Sequence, residues 1–400
     1  MTSIELVEPE SVGFSSLRLQ RLISSMQRMI DNHTFAGMLT FASRRSKTFH
    51  AQSYGMMDIN QKKPMQLDAI FRIYSMTKPI TSVAIMMLFE EGCLRLTDSV
   101  SRYLPEYKKV KVLSEQKKDE VILVNPTRDI TIRDLLTHTS GLSYGNSGIS
   151  YVDNLYQTLI MKRFFEKPDS SLEEILEALP TIPLLHQPGT AFHYSLATDL
   201  LGYLVQIISG IPFETYLKER IFDPLGMVDT AFYVPPEKIN RFACNYKQDE
   251  NGQFVELDPI PTSPYLNPRH TPAGGSGLVS TAQDYLRFMQ LLLNKGELDG
   301  IRLLSPRSVE LMTVNHLPDG IYIDPEGSTG FGLGFSVLLN PAKAQNLGSV
   351  GNYGWGGAAS TYFWIDPKEE LLSLQLIQYM PNTTSAPVDF TNLLYQAMIE

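Results

Sequence analysis

Residues 70–92, IFRIYSMTKPITSVAIMMLFEEG, contain a strand-like run, a short polar motif and an apolar helical pattern. Apolar side chains recur at i, i+3, i+4, i+7 and i+8, the spacing of a buried helix face, at Ile80, Val83, Ala84, Met87 and Leu88. Pro79 has no N–H and is tolerated only in the first turn of a helix, and Gly92 provides a stop at the other end. The pattern therefore predicts a helix that begins near residues 75–76, with Ser75 at its N-terminal end.

The polar motif is Ser75-Met76-Thr77-Lys78, an S-x-x-K spacing. Side chains three residues apart on a helix share a face, so the Lys78 amine can lie beside the Ser75 hydroxyl and, when neutral, take its proton. Because lysine has a pKa of about 10.4, a base working near pH 7 needs a shift of roughly three units, which burial and a second titrating group supply. The N–H groups of a helix N-terminus also favour a developing negative charge. The motif predicts a nucleophile with its general base.

Two other patterns compete with this motif. Ser114-Glu115-Gln116-Lys117 has the same spacing, but it lies in a charged, loop-like stretch that continues to Glu120, and we interpret it as solvated surface. Gly141-Leu142-Ser143-Tyr144-Gly145 matches the G-x-S-x-G nucleophile elbow, which requires a strand before it and a helix after it. Here it follows an apparent helix with a Thr-x-x-Asp cap at residues 131–134, so we predict a loop and keep Ser143 as the alternative nucleophile.

A second buried helix is predicted directly after Tyr194. Ser195 can cap it, Gly210 ends it, and its buried stripe consists of Ala197, Leu200, Leu201, Leu204, Val205 and Ile208. Tyr194 would then lie at the mouth of this helix, where its side chain can point into a cleft. Later in the chain, residues 354–360 (GWGGAAS) open a β-rich run whose glycines let the backbone approach a ligand. An N–H from this segment and the N–H of Ser75 could together form an oxyanion hole.

Strand-like runs lie near both ends of the chain, and the central part, about 71–260, is mostly helical and punctuated by proline. The predicted strands are 36–44, 47–54, 331–339, 359–365 and 371–378, and the predicted helices outside the centre are 16–32, about 281–295 and one from about 387. Strands at both ends with helices between them predict an α+β fold, with one sheet built from the two ends and a helical region inserted into it.

The composition, 43% hydrophobic and 19% charged over 400 residues, is that of an ordinary globular protein. A net charge of −9 argues against a nucleic-acid partner, because phosphate binding needs clustered lysine and arginine. The N-terminus has no apolar signal-like region and residues 80–89 are too few to span a bilayer, so we expect a cytoplasmic protein without a membrane partner. Cys93 and Cys244 make no disulfide framework, and nothing has zinc-ligand spacing.

The motifs occur in a specific order, namely Ser75–Lys78, Leu135–Leu142 (LLTHTSGL), Tyr194–Leu196 (YSL), Gly274–Thr281 (GGSGLVST) and Trp355–Gly357 (WGG). This ordered set resembles the serine β-lactamase and penicillin-binding-protein-like superfamily, and within it the family VIII carboxylesterases, relatives of the class C β-lactamases. The resemblance covers nearly the whole chain. It implies an α/β sandwich domain at 1–70 and 271–400 with an antiparallel sheet from both termini, a mainly helical domain at 71–270, and an active site between them.

The resemblance also implies roles for individual residues. Ser75 would be the nucleophile, Lys78 and Tyr194 the base system, and the N–H groups of Ser75 and Ala358 the oxyanion hole. Asp199, on the helix after Tyr194, would support the site. Substrate-binding residues would be Tyr144, Leu196, Trp355, Gly356 and Gly357.

Two departures from the β-lactamase pattern bear on the substrate. Trp355-Gly356-Gly357 stands where β-lactamases have Lys-Thr-Gly, and Leu196 replaces the Asn of their Tyr-x-Asn motif. A hydrogen bond to a charged group contributes about 1.5–3 kcal/mol, so β-lactam handling should weaken roughly ten- to hundredfold. We therefore expect a carboxylesterase that hydrolyses small, short-chain esters through an acyl-enzyme, with no metal and no organic cofactor. An acyltransferase, a β-lactamase or D-peptidase, and a non-catalytic binding protein are the alternatives, and the oligomeric state is left open.

Overall fold

The computed structural model of the chain describes residues 5–117, 120–167 and 169–400, so residues 118–119 of the predicted solvated stretch lie outside the described residues. Its strands are β1 Gly37–Arg44, β2 Lys47–Asp58, β3 Lys63–Pro64, β4 Phe71–Arg72, β5 Val112–Lys117, β6 Glu120–Val124, β7 Tyr246–Gln248, β8 Phe254–Glu256, β9 Val279–Ser280, β10 Glu297–Leu298, β11 Ile301–Arg302, β12 Thr329–Phe331, β13 Ser336–Leu338, β14 Tyr353–Gly356, β15 Tyr362–Asp366 and β16 Leu371–Ile377. Its α-helices are α1 Ser16–Asp31, α2 Thr77–Glu90, α3 Ile132–Leu136, α4 Ser150–Tyr156, α5 Lys162–Glu166, α6 Leu172–Leu176, α7 Ala197–Ser209, α8 Phe213–Leu217, α9 Asp223–Leu225, α10 Ala282–Leu293, α11 Pro306–Met312, α12 Pro341–Ala344 and α13 Ala386–Tyr395.

One antiparallel sheet of eight strands organises the described residues, in the order β12-β13-β14-β15-β16-β1-β2-β3. Leu374 in β16 is paired with Phe363 of β15 on one side and with Phe41 of β1 on the other. Every residue of β1 and of β16 is buried, as expected for strands covered on both faces. The sheet confirms the predicted α+β fold, with an antiparallel sheet formed from both ends of the chain.

Helices cover the two faces of this sheet. On one face, α1 and α13 contribute Leu22 and Phe390 to a core shared with Met38 and Trp364. On the other face, α10 packs against β15 and β16, and the ring of Tyr285 in α10 lies 5.1 Å from the ring of Phe363 in β15. The larger core on this second face also includes residues of α2 and α7, such as Ile80 and Leu200.

Helix α2 is the central helix of the larger core. Residues 77–88 are buried without interruption, and the helix packs against α7. The predicted apolar stripe is correct, but α2 is enclosed on every side, which is typical of a core helix rather than a surface helix. The buried set includes Thr77, Lys78 and Ser82, so the polar side chains of this helix need partners inside the protein.

Three local predictions differ from the structure. Residues 114–117 lie in strand β5 rather than in a loop, because pairing with β6 creates a hairpin that their polar sequence does not signal. The predicted strand 331–339 is divided into β12 and β13 by a turn at Gly334, whose φ is +99°. Strand β15 begins at Tyr362, not at residue 359, since the preceding residues form a turn.

Two features of the described residues concern the membrane and the thiols. No single helix among them is long and apolar enough to cross a membrane. One pair of helical segments, Ala197–Ser209 and Phe213–Leu225, meets the length and composition criterion together, but the two are bent by 84° relative to each other. Cys93 is exposed and Cys244 is buried, and both are free thiols.

Candidate active site

Ser75 lies at the junction between strand β4 and helix α2. Tyr74–Met76 form one turn of 3-10 helix, and α2 begins at Thr77, so the helix starts where Pro79 predicts. The backbone of Tyr74 has a positive φ of 42°. Non-glycine residues in this region are uncommon and concentrate at functional sites. The nucleophile candidate is thus presented by an unusual turn.

Lys78 is buried next to Ser75, with a relative exposure of 1%. Its Nζ donates to the Gly275 carbonyl oxygen at 2.7 Å and lies 2.9 Å from the Tyr144 hydroxyl oxygen. The same nitrogen lies 3.4 Å from Ser75 Oγ and 4.6 Å from the centroid of the Tyr194 ring. These contacts fix the amine beside the serine hydroxyl, as the S-x-x-K spacing predicts.

Tyr194 precedes α7 and belongs to a cluster of aromatic rings. The indole Nε1–H of Trp355 donates to its hydroxyl oxygen at 3.3 Å, and the two rings are 5.4 Å apart. The ring of His138 packs 4.8 Å from the Tyr194 ring. Burial, helped by the nearby charge of Lys78, lowers the pKa of His138 well below its usual value, so this imidazole is neutral. The rings of Trp355 and His138 both pack on Tyr194, whose own ring contacts Lys78.

The glycine-rich segment forms the end of β14 and the turn after it. A Cβ on Gly357 would lie 2.5 Å from the carbonyl oxygen of Ile73, so a larger residue would push this turn away from the segment that carries Ser75. Ala358 is exposed in the same turn, and its N–H has no acceptor in the described part of the chain. A free N–H beside the serine is what an oxyanion hole needs.

A cavity of about 450 Å³ brings these segments together. Among the predicted site residues, it is lined by Ser75, Tyr194, Trp355, Gly356, Gly357 and Ala358. Its other lining residues are Ser336, Asn346, Tyr362, Asn382, Pro387, Val388 and Thr391, so no described residue that lines it has a carboxylate, an amine or a guanidinium. A larger cavity of about 760 Å³, next to residues 227–238, contains none of the predicted site residues. We place the site at the smaller cavity because Ser75, Tyr194 and the glycine-rich segment line it together.

Asp199 is buried in the first turn of α7, with a relative exposure of 1%. Its carboxylate accepts the N–H of Gly275 at 2.9 Å, and the carbonyl of this same glycine accepts from Lys78. Burial raises the pKa of Asp199, an effect that the charge of Lys78 partly opposes. A Cβ on Gly275 would lie 2.5 Å from Asp199 Oδ2, so the contact requires glycine. Asp199 thereby holds the carbonyl group that orients the Lys78 amine.

Five predicted residues are not among those that line the cavity: Lys78, Asp199, Leu196, Tyr144 and the alternative nucleophile Ser143. Leu196 is buried in the core, and Tyr144 contacts Lys78, so the substrate contacts expected of both stay predictions. Ser143, the alternative nucleophile, is fully buried in a loop, as the sequence indicates for this segment. Its Oγ accepts the N–H of Gly145 at 3.0 Å and lies 3.2 Å from His193 Nε2. In this conformation the Ser143 hydroxyl is closed to substrate.

Some contributors to the site were not singled out from the sequence. His138 and Gly275 lie within two of the ordered segments, LLTHTSGL and GGSGLVST. Their place in these segments is the sequence signal that could have marked them as part of the site. Tyr362 and Val388, which line the cavity, belong to an ordinary strand and an ordinary helix and carry no such signal. They reach the site only because β15 and α13 fold next to the glycine-rich turn.

One group of potential metal ligands occurs among the described residues: Asp58, Cys244 and Glu256, whose ligand atoms lie within 4.8 Å of one another. Burial raises the pKa of the Cys244 thiol to about 12, so the thiol is protonated at neutral pH. The carboxylates already accept hydrogen bonds, Asp58 from the N–H of Gln61 and Glu256 from the amide of Asn60. This donor set is poorly prepared for a metal ion.

The fold and the arrangement around Ser75 define a serine hydrolase of the β-lactamase-like class. A model of the beta-lactamase family matches residues 20–398, and the chain belongs to this family. An uncharacterised protein of Mycobacterium tuberculosis is 39% identical and the match covers 90% of each chain. Lovastatin esterase of Penicillium rubens is 31% identical over 80% of this chain and 82% of its own. The solved structure of EstCE1, a hydrolase with promiscuous acyltransferase activity, matches with a TM-score of 0.80 at 27% identity, covering 94% of this chain and 98% of that one.

Proposed function

We propose that the protein is a carboxylesterase, similar to the family VIII enzymes, that hydrolyses small esters through an acyl-enzyme on Ser75. The observation that carries the proposal is the position of Lys78 Nζ, 3.4 Å from Ser75 Oγ at the wall of the shared cavity. A nucleophile with a base in reach is the requirement for covalent acyl transfer. The esterase and hydrolase relatives support the same chemistry.

In the proposed mechanism, the Lys78–Tyr194 pair, with the Lys78 amine in its neutral form, takes the hydroxyl proton of Ser75 while Oγ attacks the ester carbonyl carbon. The negative charge on the carbonyl oxygen is stabilised by the N–H groups of Ser75 and Ala358. The tetrahedral intermediate collapses, the bond to the alcohol oxygen breaks, and the same pair returns the proton to the leaving alcohol. Water then adds to the acyl-enzyme by the same steps and releases the acid and free Ser75.

The lining of the cavity supports a neutral substrate. Aromatic and aliphatic groups from Trp355, Tyr362, Pro387 and Val388 offer apolar contact, and the polar groups of the described lining are hydroxyls and amides. A substrate carboxylate would lose its water there without gaining a cationic partner among the described lining residues, which is unfavourable. The cavity of about 450 Å³ has the size of an ordinary small-molecule site, which supports a small ester as the substrate.

The domain division proposed from the sequence places the site at a boundary. Ser75, Lys78 and Tyr194 come from 71–270, and Trp355 and Ala358 come from 271–400. Both groups line or adjoin the same cavity, which supports an active site between a helical domain and an α/β sandwich.

The direct test compares substrates. Hydrolysis of p-nitrophenyl acetate and butyrate is measured beside turnover of nitrocefin and of D-amino-acid peptides. The proposal predicts that kcat/KM for the esters exceeds that for nitrocefin by roughly tenfold or more. Equal or faster turnover of nitrocefin or of the peptides would contradict it.

Acyl transfer to an alcohol is a second candidate, favoured by the acyltransferase activity in the description of EstCE1. An acceptor alcohol would intercept the acyl-enzyme before water does. Adding small alcohols to the ester assay and analysing the products distinguishes the two. A transferase forms mainly the new ester, whereas the proposed hydrolase forms mainly the free acid.

A further inference from the structure

We infer that Tyr74 is a positioning residue for the nucleophile, and that the side-chain amide of Asn245 holds it in place. The inference rests on the proposed function of Ser75. Tyr74 directly precedes Ser75, and its phenol accepts a hydrogen bond from Asn245 Nδ2 at 3.1 Å. The two residues come from distant parts of the chain, so this contact ties the nucleophile turn to a separate element.

The backbone of Tyr74 gives the first part of the argument. Its φ of 42° lies in the left-handed region, where an L-residue has its Cβ close to the following carbonyl oxygen. Glycine would adopt this conformation without that strain. A tyrosine at this position implies that its side chain does something that glycine cannot do, and strain of this kind persists only where the surroundings impose it.

Asn245 provides the surroundings. It is buried at 1% relative exposure, and its Oδ1 has no hydrogen-bond partner in the described part of the chain. Its Nδ2 also points to Met380 Sδ at 3.5 Å. The residues on either side of it are fixed by backbone hydrogen bonds of 3.0 Å to Met57 and to Gln378. The backbone around Asn245 is fixed and its side-chain oxygen has no partner among the described residues. The contact of its amide N–H with the Tyr74 phenol is therefore the hydrogen bond that its side chain makes to the turn.

The segment before Tyr74 is held equally firmly. The side chain of Gln378 accepts the N–H of Arg72 at 3.1 Å and donates to the carbonyl of the same residue at 3.0 Å. The guanidinium of Arg72 is buried, donates to Asp258 at 2.7 Å and lies 3.9 Å from the centroid of the Phe242 ring. The strand that leads to the turn therefore has little freedom.

The segment after Ser75 is also fixed. Tyr285 donates its hydroxyl proton to the carbonyl of Met76 at 2.8 Å, and the buried helix α2 follows. With both flanks fixed, the left-handed turn at Tyr74 sets the direction of the Ser75 side chain. Loss of the Asn245 contact would let the turn relax and move Ser75 Oγ away from its place 3.4 Å from Lys78 Nζ.

The test uses Tyr74→Phe, Asn245→Ala and the double variant. Tyr74→Phe removes only the hydroxyl, so it is informative even if Asn245→Ala folds poorly. Tyr246→Phe is the matched control, because its hydroxyl accepts a backbone N–H from Ile59 at 2.9 Å without contact to the turn. Labelling of Ser75 by a fluorophosphonate, located by mass spectrometry, reports the reactivity of the nucleophile, and kcat and KM are measured with p-nitrophenyl butyrate.

Both single variants are expected to lose about tenfold in labelling rate and in kcat, with KM nearly unchanged, since a small displacement of a reacting group is costly. The double variant should be no slower than either single one, because both substitutions remove the same Tyr74–Asn245 hydrogen bond and their effects do not add. Tyr246→Phe should label at the wild-type rate. Three results would each overturn the inference. They are labelling of Tyr74→Phe at the wild-type rate, a change in the variants that is confined to KM, and an equal loss of labelling in Tyr246→Phe. A wild-type chain that is not labelled at Ser75 would instead overturn the proposed function itself.

Discussion

The side-chain nitrogen of Lys78 lies 2.9 Å from the hydroxyl oxygen of Tyr144, whereas its contact with Tyr194 is with the ring face, 4.6 Å from the centroid. The hydroxyl oxygen of Tyr194 instead accepts from the indole of Trp355. Burial, reinforced by the charge of Asp199, raises the pKa of Tyr144 well above its usual value, so Tyr144 is a neutral phenol. The two tyrosines therefore contribute differently to the site.

Tyr144→Phe keeps the ring and removes the hydroxyl beside Lys78. We expect kcat/KM for p-nitrophenyl butyrate to fall about tenfold, because one hydrogen bond that orients the amine is lost. Tyr194→Phe should cost more, about a hundredfold or above, since the proposed mechanism gives the Tyr194 hydroxyl a part in proton transfer. A larger loss in Tyr144→Phe than in Tyr194→Phe would contradict this division and make Tyr144 the partner of Lys78 in proton transfer.

Gly356→Ala and Gly357→Ala form a matched pair just before Ala358, the first at the end of β14 and the second directly after it. At position 357 the added methyl group would lie 2.5 Å from the Ile73 carbonyl oxygen and closer still to Thr361 Oγ1, whereas at position 356 it would come no closer than 3.2 Å to any neighbour. We expect Gly357→Ala to lower kcat/KM about a hundredfold by displacing the turn, and Gly356→Ala to have an effect of about threefold or less. Equal losses in ester hydrolysis would show that the close approach at Gly357 does not govern activity.

His50 makes the stability of the fold sensitive to pH. Its buried ring contacts Thr40 Oγ1 at 2.8 Å, and burial lowers its pKa from 6.5 to about 4. The unfolded chain binds the proton near pH 6.5 while the folded chain does not, so stability present above pH 6.5 is lost as the pH falls towards about 4.

The His50→Gln variant isolates this contribution. Urea unfolding at about pH 7.5 and about pH 4.5 should show a fall in unfolding free energy that is larger in the wild type by roughly 2 to 3 kcal/mol. Glutamine does not titrate, so the variant lacks this part of the pH dependence whatever its stability at neutral pH. Identical falls in both proteins would mean that His50 is not the titrating group.

The fold was predictable where burial leaves a strong pattern in the sequence. Apolar runs at residues 36–44 and 371–378 became the central strands β1 and β16, and the helix after Ser75 begins where Pro79 indicates. Strand β5 was missed because its sequence, VLSEQK, is polar, and it becomes a strand only by pairing with β6. The enclosure of α2 on all sides also depends on the neighbours that surround it in three dimensions.

The site was predictable in part. The pairing of Ser75 with Lys78 follows from helical spacing, and Tyr194 and Ala358 came from the ordered motifs. Gly275 lies within the ordered segment GGSGLVST, but its contact with Lys78 could not be read from that segment, and the role proposed for Asn245 depends on a contact with a distant segment that no local pattern encodes. The cytoplasmic location, the absence of nucleic-acid and membrane partners, and the absence of a cofactor stay predictions.

The central claim is that Ser75, and not Ser143, is the nucleophile. The most direct measurement is hydrolysis of p-nitrophenyl acetate and butyrate by the wild type, Ser75→Ala and Ser143→Ala, with folding of each variant checked by circular dichroism. We predict that Ser75→Ala loses about a thousandfold or more in kcat and that Ser143→Ala stays within about threefold of the wild type. A Ser143→Ala protein without activity beside an active Ser75→Ala protein would contradict the account from its first step.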